Sequence, residues 1–424
     1  MDIFWLLLKM AVCIKKAAIN FMRRGKSGSL FKTIYKEGGI NMGKKLKIIF
    51  SMAVLLVLGI FLSQWCQVEK EELVSSESQE FDKAVVTGII TDNIQENGSR
   101  VGSQQIKVRF LSGRRKGQET EAVSTNGNLY GATCYAGLKV ITLTNQSGDV
   151  TITSVYSRNR EPYIVGFVGL FFLILFLVGG KNGIKAVAGL LITFLMVLLF
   201  LFPAVYRGMS PVFAAVLTVI LVTVLSIFIL TGYSRKTYAA ILGTVSGVII
   251  SGLFAWFFGK VAGISGYNVS NIDTLVSVAN CTNIKVGDLL FAGILISSLG
   301  AVMDVGLSIA STITEIYSVT PEAGWKKLFC SGMNVGKDMM GTMSNTLILA
   351  FAGGSLSELV LDYAYNLPYL QLINSYTIGI EIMQGIAGSI GIILTVPLVS
   401  FFASVLVTAH SSKSLCTGCW LKQD

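Results

Sequence analysis

The chain has 424 residues, 52% of them hydrophobic and 14% charged, with a mean hydropathy of +0.66. Soluble domains average about 25% charged residues, so the composition excludes an ordinary soluble protein, and several apolar runs of bilayer length imply a multi-pass membrane protein. The formal net charge of +10 sits largely beside those runs, where cytoplasmic loops collect Lys and Arg; no recognition motif accompanies it, so no nucleic-acid partner is expected.

Residues 1–41 begin with an apolar stretch, Met1 to Ile14, that is too short to span and is followed by Lys15, Lys16, Arg23 and Arg24. The codons of Glu37-Gly38-Gly39 can spell a ribosome-binding site ahead of Met42. We therefore expect natural translation to begin at Met42, with residues 1–41 a non-native or disordered extension. An amphipathic surface helix is the alternative. Residues 42–66 carry Lys44, Lys45 and Lys47 and then an apolar run from Ile48 to Trp65. The basic flank predicts an uncleaved anchor with a cytoplasmic N-terminus.

Residues 67–161 are the one sizeable polar segment. Five short runs alternate or are β-branched: 85–91, 105–111, 119–123, 138–144 and 150–155. Turn residues such as Ser112-Gly113 and Ser147-Gly148-Asp149 separate them, which predicts a small all-β, OB-like barrel. Arg109, Arg114, Arg115 and Lys116 on one hairpin read as a solvated turn in preference to a polyanion site. Cys134 is the only cysteine of this segment, so an internal disulfide is excluded there.

Residues 162–409 predict seven spans, at about 163–178, 184–202, 211–230, 238–258, 286–313, 339–361 and 378–407. With the anchor the fold class is an α-helical polytopic bundle of about eight spans, both termini cytoplasmic and the β domain extracytoplasmic. Two stripes of small residues, Gly243/Gly247/Gly252 and Gly385/Gly388/Gly391, read as close helix packing. The tail, 410–424, holds Cys416 and Cys419 with His410, the single histidine. One C-x-x-C lacks the second pair of a structural zinc site, so a solvated tail is expected, with metal or redox chemistry as the alternative. No cofactor is implied.

The polar residues inside spans carry the functional reading. A carboxylate or ammonium at the centre of a span costs about 2.5–3.5 kcal/mol on insertion scales, so it is kept where it meets protein, water or an ion. Ser297, Gly300, Asp304 and Ser308 recur at i, i+3/4, i+7 on one helix and share a face. The next helix carries Asn334, Lys337, Asp338 and Asn345, with Gly332, Gly336 and Gly341 loosening its start. We take Asp304, Ser308, Asn334, Lys337, Asp338 and Asn345 as a solute or ion site. A structural carboxylate at Asp304 paired with Lys337 weighs equally. Glu358, Glu381 and Gln384 could extend a cation or proton path, or be separate helix-end residues. No phosphate-binding loop, nucleophile elbow or H-E-x-x-H is present, so neither an ATP-driven pump nor an intramembrane metalloprotease is expected; a membrane-embedded enzyme ranks third among the readings.

The runs Ser297-Ser-Leu-Gly-Ala-Val-Met-Asp304-Val-Gly-Leu-Ser-Ile-Ala310 and Gly332-Met-Asn-Val-Gly-Lys-Asp338-Met-Met-Gly-Thr-Met-Ser-Asn345 resemble the YibE/F family of bacterial multi-pass membrane proteins. The resemblance extends over about 42–408. It implies a bacterial plasma-membrane location and the bundle topology, and it names no substrate. The leading expectation is a permease-like protein in the bilayer for a small solute or cation; the sequence also admits a homo-oligomer. The other expectation is a non-transporting scaffold or sensor whose β domain binds a partner or cell-wall polymer.

Overall fold

Alternating burial along five strands builds the N-terminal part. The structure, a computed structural model, describes residues 79–92, 101–125, 130–147, 150–269 and 272–409. The expectations for 1–66 and 410–424 lie outside the described residues. The chain divides into two units, Lys70–Val187 and the remainder.

In the first unit, β1 (Gln79–Thr91), β2 (Gln104–Phe110), β3 (Glu119–Ser124), β4 (Lys139–Ser147) and β5 (Val150–Arg158) form a closed barrel in the order β1-β2-β3-β5-β4. Every second residue points inward: Ile106, Val108 and Phe110 on β2, Ala84 and Val86 on β1. β1 starts six residues before the sequence expectation of Val85. Its polar first half pairs with β4, Gln79 opposite Asn145, and its second half with β2, Ile89 opposite Ile106. Register shifts between Val86 and Gly88 and between Ile89 and Thr91 bend the strand so that it serves both neighbours. One parallel pairing, Val123 opposite Ser154, completes the circuit.

A buried amide plugs the barrel. Gln104, 1% exposed, accepts from the Cys134 N–H at 2.8 Å and donates to the Cys134 carbonyl at 3.3 Å. Both of its polar ends are therefore satisfied, as a buried amide requires. Arg109 bonds Glu119 across the β2–β3 pair at 2.7 Å. Arg114 is 91% exposed, in keeping with a solvated hairpin. Lys83 pairs with Glu161 at the foot of the barrel.

Among the described residues six helices are long and apolar enough to cross a membrane, seven if one bent pair is a single span. They are α1 (Glu161–Gly180), α2 (Asn182–Tyr206), α3 (Pro211–Thr231), α4 (Arg235–Ala262), α6 (Leu289–Val319) and α10 (Tyr376–Thr408), with α7 (Trp325–Gly354) and α8 (Leu356–Ala364) as the bent pair; α5 (Ile272–Cys281) and α9 (Tyr369–Ile373) are shorter. Positive-φ Gly180 (φ 52°) breaks α1 from α2. A π-helical turn at Val197–Leu201 precedes Pro203, whose ring and missing N–H exclude the regular α pattern there.

Three expectations change. The segment between the spans expected at 286–313 and 339–361 is largely helical: α6 runs to Val319, α7 begins at Trp325, and the connection is residues 320–324. The next span does not run unbroken to Leu361, because Gly353-Gly354-Ser355 ends α7 and α8 leaves at 63°; consecutive poor helix formers weaken the helix at that point. The polar segment between the spans expected at 238–258 and 286–313 contains a helix, α5, with no buried residue.

In the second unit α10 is the hub, packed on α4, α6 and α7. The glycine stripes do pack closely. A Cβ on Gly391 would lie 2.7 Å from the Ser251 Cβ, and one on Gly388 2.6 Å from Leu347 Cδ2. Gly243 and Gly247 sit directly against Val399 and Thr395, and Gly336 against Val396. These helices approach at backbone distance, as small-residue contacts permit.

Candidate functional site

α6 and α7 form an antiparallel hairpin whose register is set by Gly332, where a Cβ would stand 2.6 Å from Ile313 Cδ1 and 2.7 Å from Ser400 Oγ. Nine residues further along each helix, Asp304 is level with Gly341. By the same count Ser308 is level with Lys337. Asp304 is midway along α6, equally far from Leu289 and Val319. Lys337 lies well inside α7, about 18 Å along the axis from Trp325 at 1.5 Å per residue. The charged groups therefore share a band near the middle of the two helices.

Burial decides where the band points. On α6, Leu299, Val302, Val305 and Ile309 are buried against the bundle, while Ser297, Gly300, Asp304 and Ser308 are exposed. On α7, Leu328, Gly332 and Gly336 are buried, while Asn334, Lys337, Asp338 and Asn345 are exposed. The structure thus brings all six sequence-predicted residues onto one hairpin and turns them outward from the bundle. Among the described residues no ion pair joins Asp304, Lys337 or Asp338, so the paired structural carboxylate expected as an alternative at Asp304 is absent there.

The hydroxyls beside the charges are partly self-satisfied. Ser297 Oγ donates to the Ile294 carbonyl at 3.1 Å, Thr342 Oγ1 to the Met339 carbonyl at 3.1 Å, and Thr346 Oγ1 to the Thr342 carbonyl at 2.9 Å. The charged groups have no such recourse, and at about 2.5–3.5 kcal/mol each they are costly against hydrocarbon. Glu358 is exposed on α8, beyond the bend. Glu381, placed by the Gly388–Leu347 contact level with Gly354, lies about 20 Å along the axis from the band at 1.5 Å per residue. One path through all the carboxylates is not formed.

Sequence reasoning missed two features. Cys330 and Thr342 continue the exposed face of α7, and their i+4 spacing from Asn334 and Asp338 was the available signal. Ser344 Oγ, Ser400 Oγ and Thr244 Oγ1 are buried without a hydrogen-bond partner among the described residues; only the packed helices reveal them. Among those residues no group of three His, Cys, Asp or Glu side chains could hold a metal.

No curated protein and no solved structure matches the chain. The family described as YibE/F-like protein matches residues 167–409, from α1 to the end of α10. The barrel lies outside that match, which is narrower than the extent expected from 42 onward. Both charged runs of the α6–α7 hairpin lie inside it, and with more than half its length matched the chain belongs to the YibE/F-like family.

Proposed function

We propose that the protein is a permease-like membrane protein for a small solute or ion, with a cation as the favoured class. The observation that carries the reading is the mid-helix band on α6 and α7. Its formal charge is two carboxylates, Asp304 and Asp338, against one ammonium, Lys337, and the excess negative charge suits a cation. Polar side chains at this depth are characteristic of solute and ion pathways. The reading assigns no enzymatic step.

The same reading places the protein in a bacterial plasma membrane as about eight spans, the run Ile48 to Trp65 being the first. Basic pairs at Arg235/Lys236 and Lys326/Lys327 lie at turns on one side; the positive-inside rule makes that side cytoplasmic, which puts both termini there and the barrel outside. The barrel is of OB type in this reading, supported by five strands, closure of β1 on β4 and the parallel β3–β5 pair. The test is purified, reconstituted protein assayed for thermal shifts and flux over a panel of cations and small solutes, wild type beside Asp304→Asn. A ligand-dependent shift in wild type that the mutant loses supports the reading. No shift and no flux across the panel refutes it.

One observation favours a second reading, a scaffold or sensor. Phe81, Tyr130 and Tyr156 are exposed on the barrel and touch, with ring centroids 5.3 Å and 5.5 Å apart. Such rings present a large apolar surface with hydroxyl handles, which suits contact with a partner or polymer. Deleting residues 70–158 separates the two: a permease retains flux, whereas a sensor loses its response.

A further inference from the structure

We infer that the outward face of the α6–α7 hairpin is the docking surface for a second copy of this chain, in a dimer whose twofold axis runs along the membrane normal. The inference concerns the site proposed above but rests on the exposure of its charges and not on transport, so the two can fail separately.

Asp304, Lys337 and Asp338 are exposed and without ion pairs among the described residues. Lipid satisfies none of them. A twofold axis along the normal keeps every residue at its own depth while turning the same surface on itself. Charges can then pair only if opposite signs already share a depth. Lys337 and Asp338 are sequence neighbours, and Asp304 is within about one turn of them by the hairpin register. The face is therefore self-complementary: Lys337 of one copy meets a carboxylate of the other, and the reverse.

Shape agrees with charge. Gly341 stands at the level of Asp304 and Gly300 one turn from it, and a Cβ on either would meet nothing within 4 Å. The glycines that pack inside the bundle, such as Gly336 and Gly388, are filled from the opposite side. Two open glycines flanking the charges let helices of a second copy approach closely. The face also explains why a site on two helices alone is not enclosed: the missing wall comes from the partner.

Cys330, exposed on the same face of α7, supplies a probe. The experiment uses the full chain in native membranes with the other six cysteines replaced by Ala, so that Cys330 alone is left, and a short bismaleimide as cross-linker. The inference expects a cross-linked dimer between differently tagged copies. Lys337→Glu should lower its yield at least tenfold, and the reversed pair Lys337→Asp/Asp338→Lys should restore it, which also guards against simple misfolding. A photo-reactive amino acid in place of Thr342 identifies the neighbour directly. Adducts to a second copy support the inference. Adducts to lipid, to residues 42–66 or to another protein overturn it, as does a Cys330-only chain with Lys337 and Asp338 unchanged that gives no cross-linked dimer.

Discussion

Gly391→Ala tests the architecture that turns the charged band outward. The new Cβ is fixed by the backbone and cannot rotate away. It would stand 2.7 Å from Ser251 Cβ, 3.2 Å from the Gly247 carbonyl oxygen and 3.3 Å from Ser251 Oγ. Non-bonded carbons rest at about 3.5–4.0 Å, so α10 and α4 must part by roughly an ångström where they cross, loosening Thr395 and Val399 against Gly247 and Gly243. Overpacking of this kind costs about 1–3 kcal/mol, a factor of roughly 5 to 150 in the folded-to-unfolded ratio at 1.4 kcal/mol per tenfold. The assay is reversible unfolding in mixed micelles, with Gly293→Ala as the matched control. Gly293 has nothing within 4 Å of an added Cβ, so the control should be neutral or slightly stabilising. Equal stability of the two variants would refute the close α4–α10 crossing and with it the direction assigned to the α6–α7 face.

Asp304→Asn should fold as well as wild type, because the carboxylate is exposed and has no ion pair among the described residues; a fall in thermal stability of several degrees would show that it is a structural charge instead. Gln104→Leu should destabilise the barrel by about 1–3 kcal/mol, since it removes the buried hydrogen bonds between the Gln104 amide and the Cys134 backbone, and hydrogen exchange at the Cys134 amide should accelerate correspondingly. Arg109→Ala should cost less than about 1 kcal/mol, as expected of an ion pair that is half exposed on both sides, measured in the same unfolding assay. Maleimide should label exposed Cys281 in the native protein and reach buried Cys134 only after unfolding, as followed by mass.

Much of this structure is legible in the amino-acid order. Apolar runs of span length located α1, α2, α3, α4, α6 and α10, because a helix crossing hydrocarbon must satisfy its backbone internally and present apolar side chains. Period-2 alternation located five strands for an equally local reason. The boundaries that failed are those where composition and folding disagree. Residues 325–337 are too polar to read as part of a span, yet they continue α7 because Leu328, Gly332 and Gly336 pack on the bundle. Gln79–Lys83 carries little strand signal and is held by its pairing with β4.

The candidate site divides in the same way. Spacing alone put Asp304 with Ser308, and Asp338 with Asn345, since helical periodicity fixes which residues share a face. It could not say where either face points. That was decided by Gly332 on Ile313 and Ser400, Gly336 on Val396, and Gly388 on Leu347, contacts between residues distant in sequence that claim the small-residue sides of the helices for the core. The charged sides are left outward, at one depth and side by side. Periodicity is a property of one helix; direction and register belong to the packing of several, and only the tertiary structure contains them.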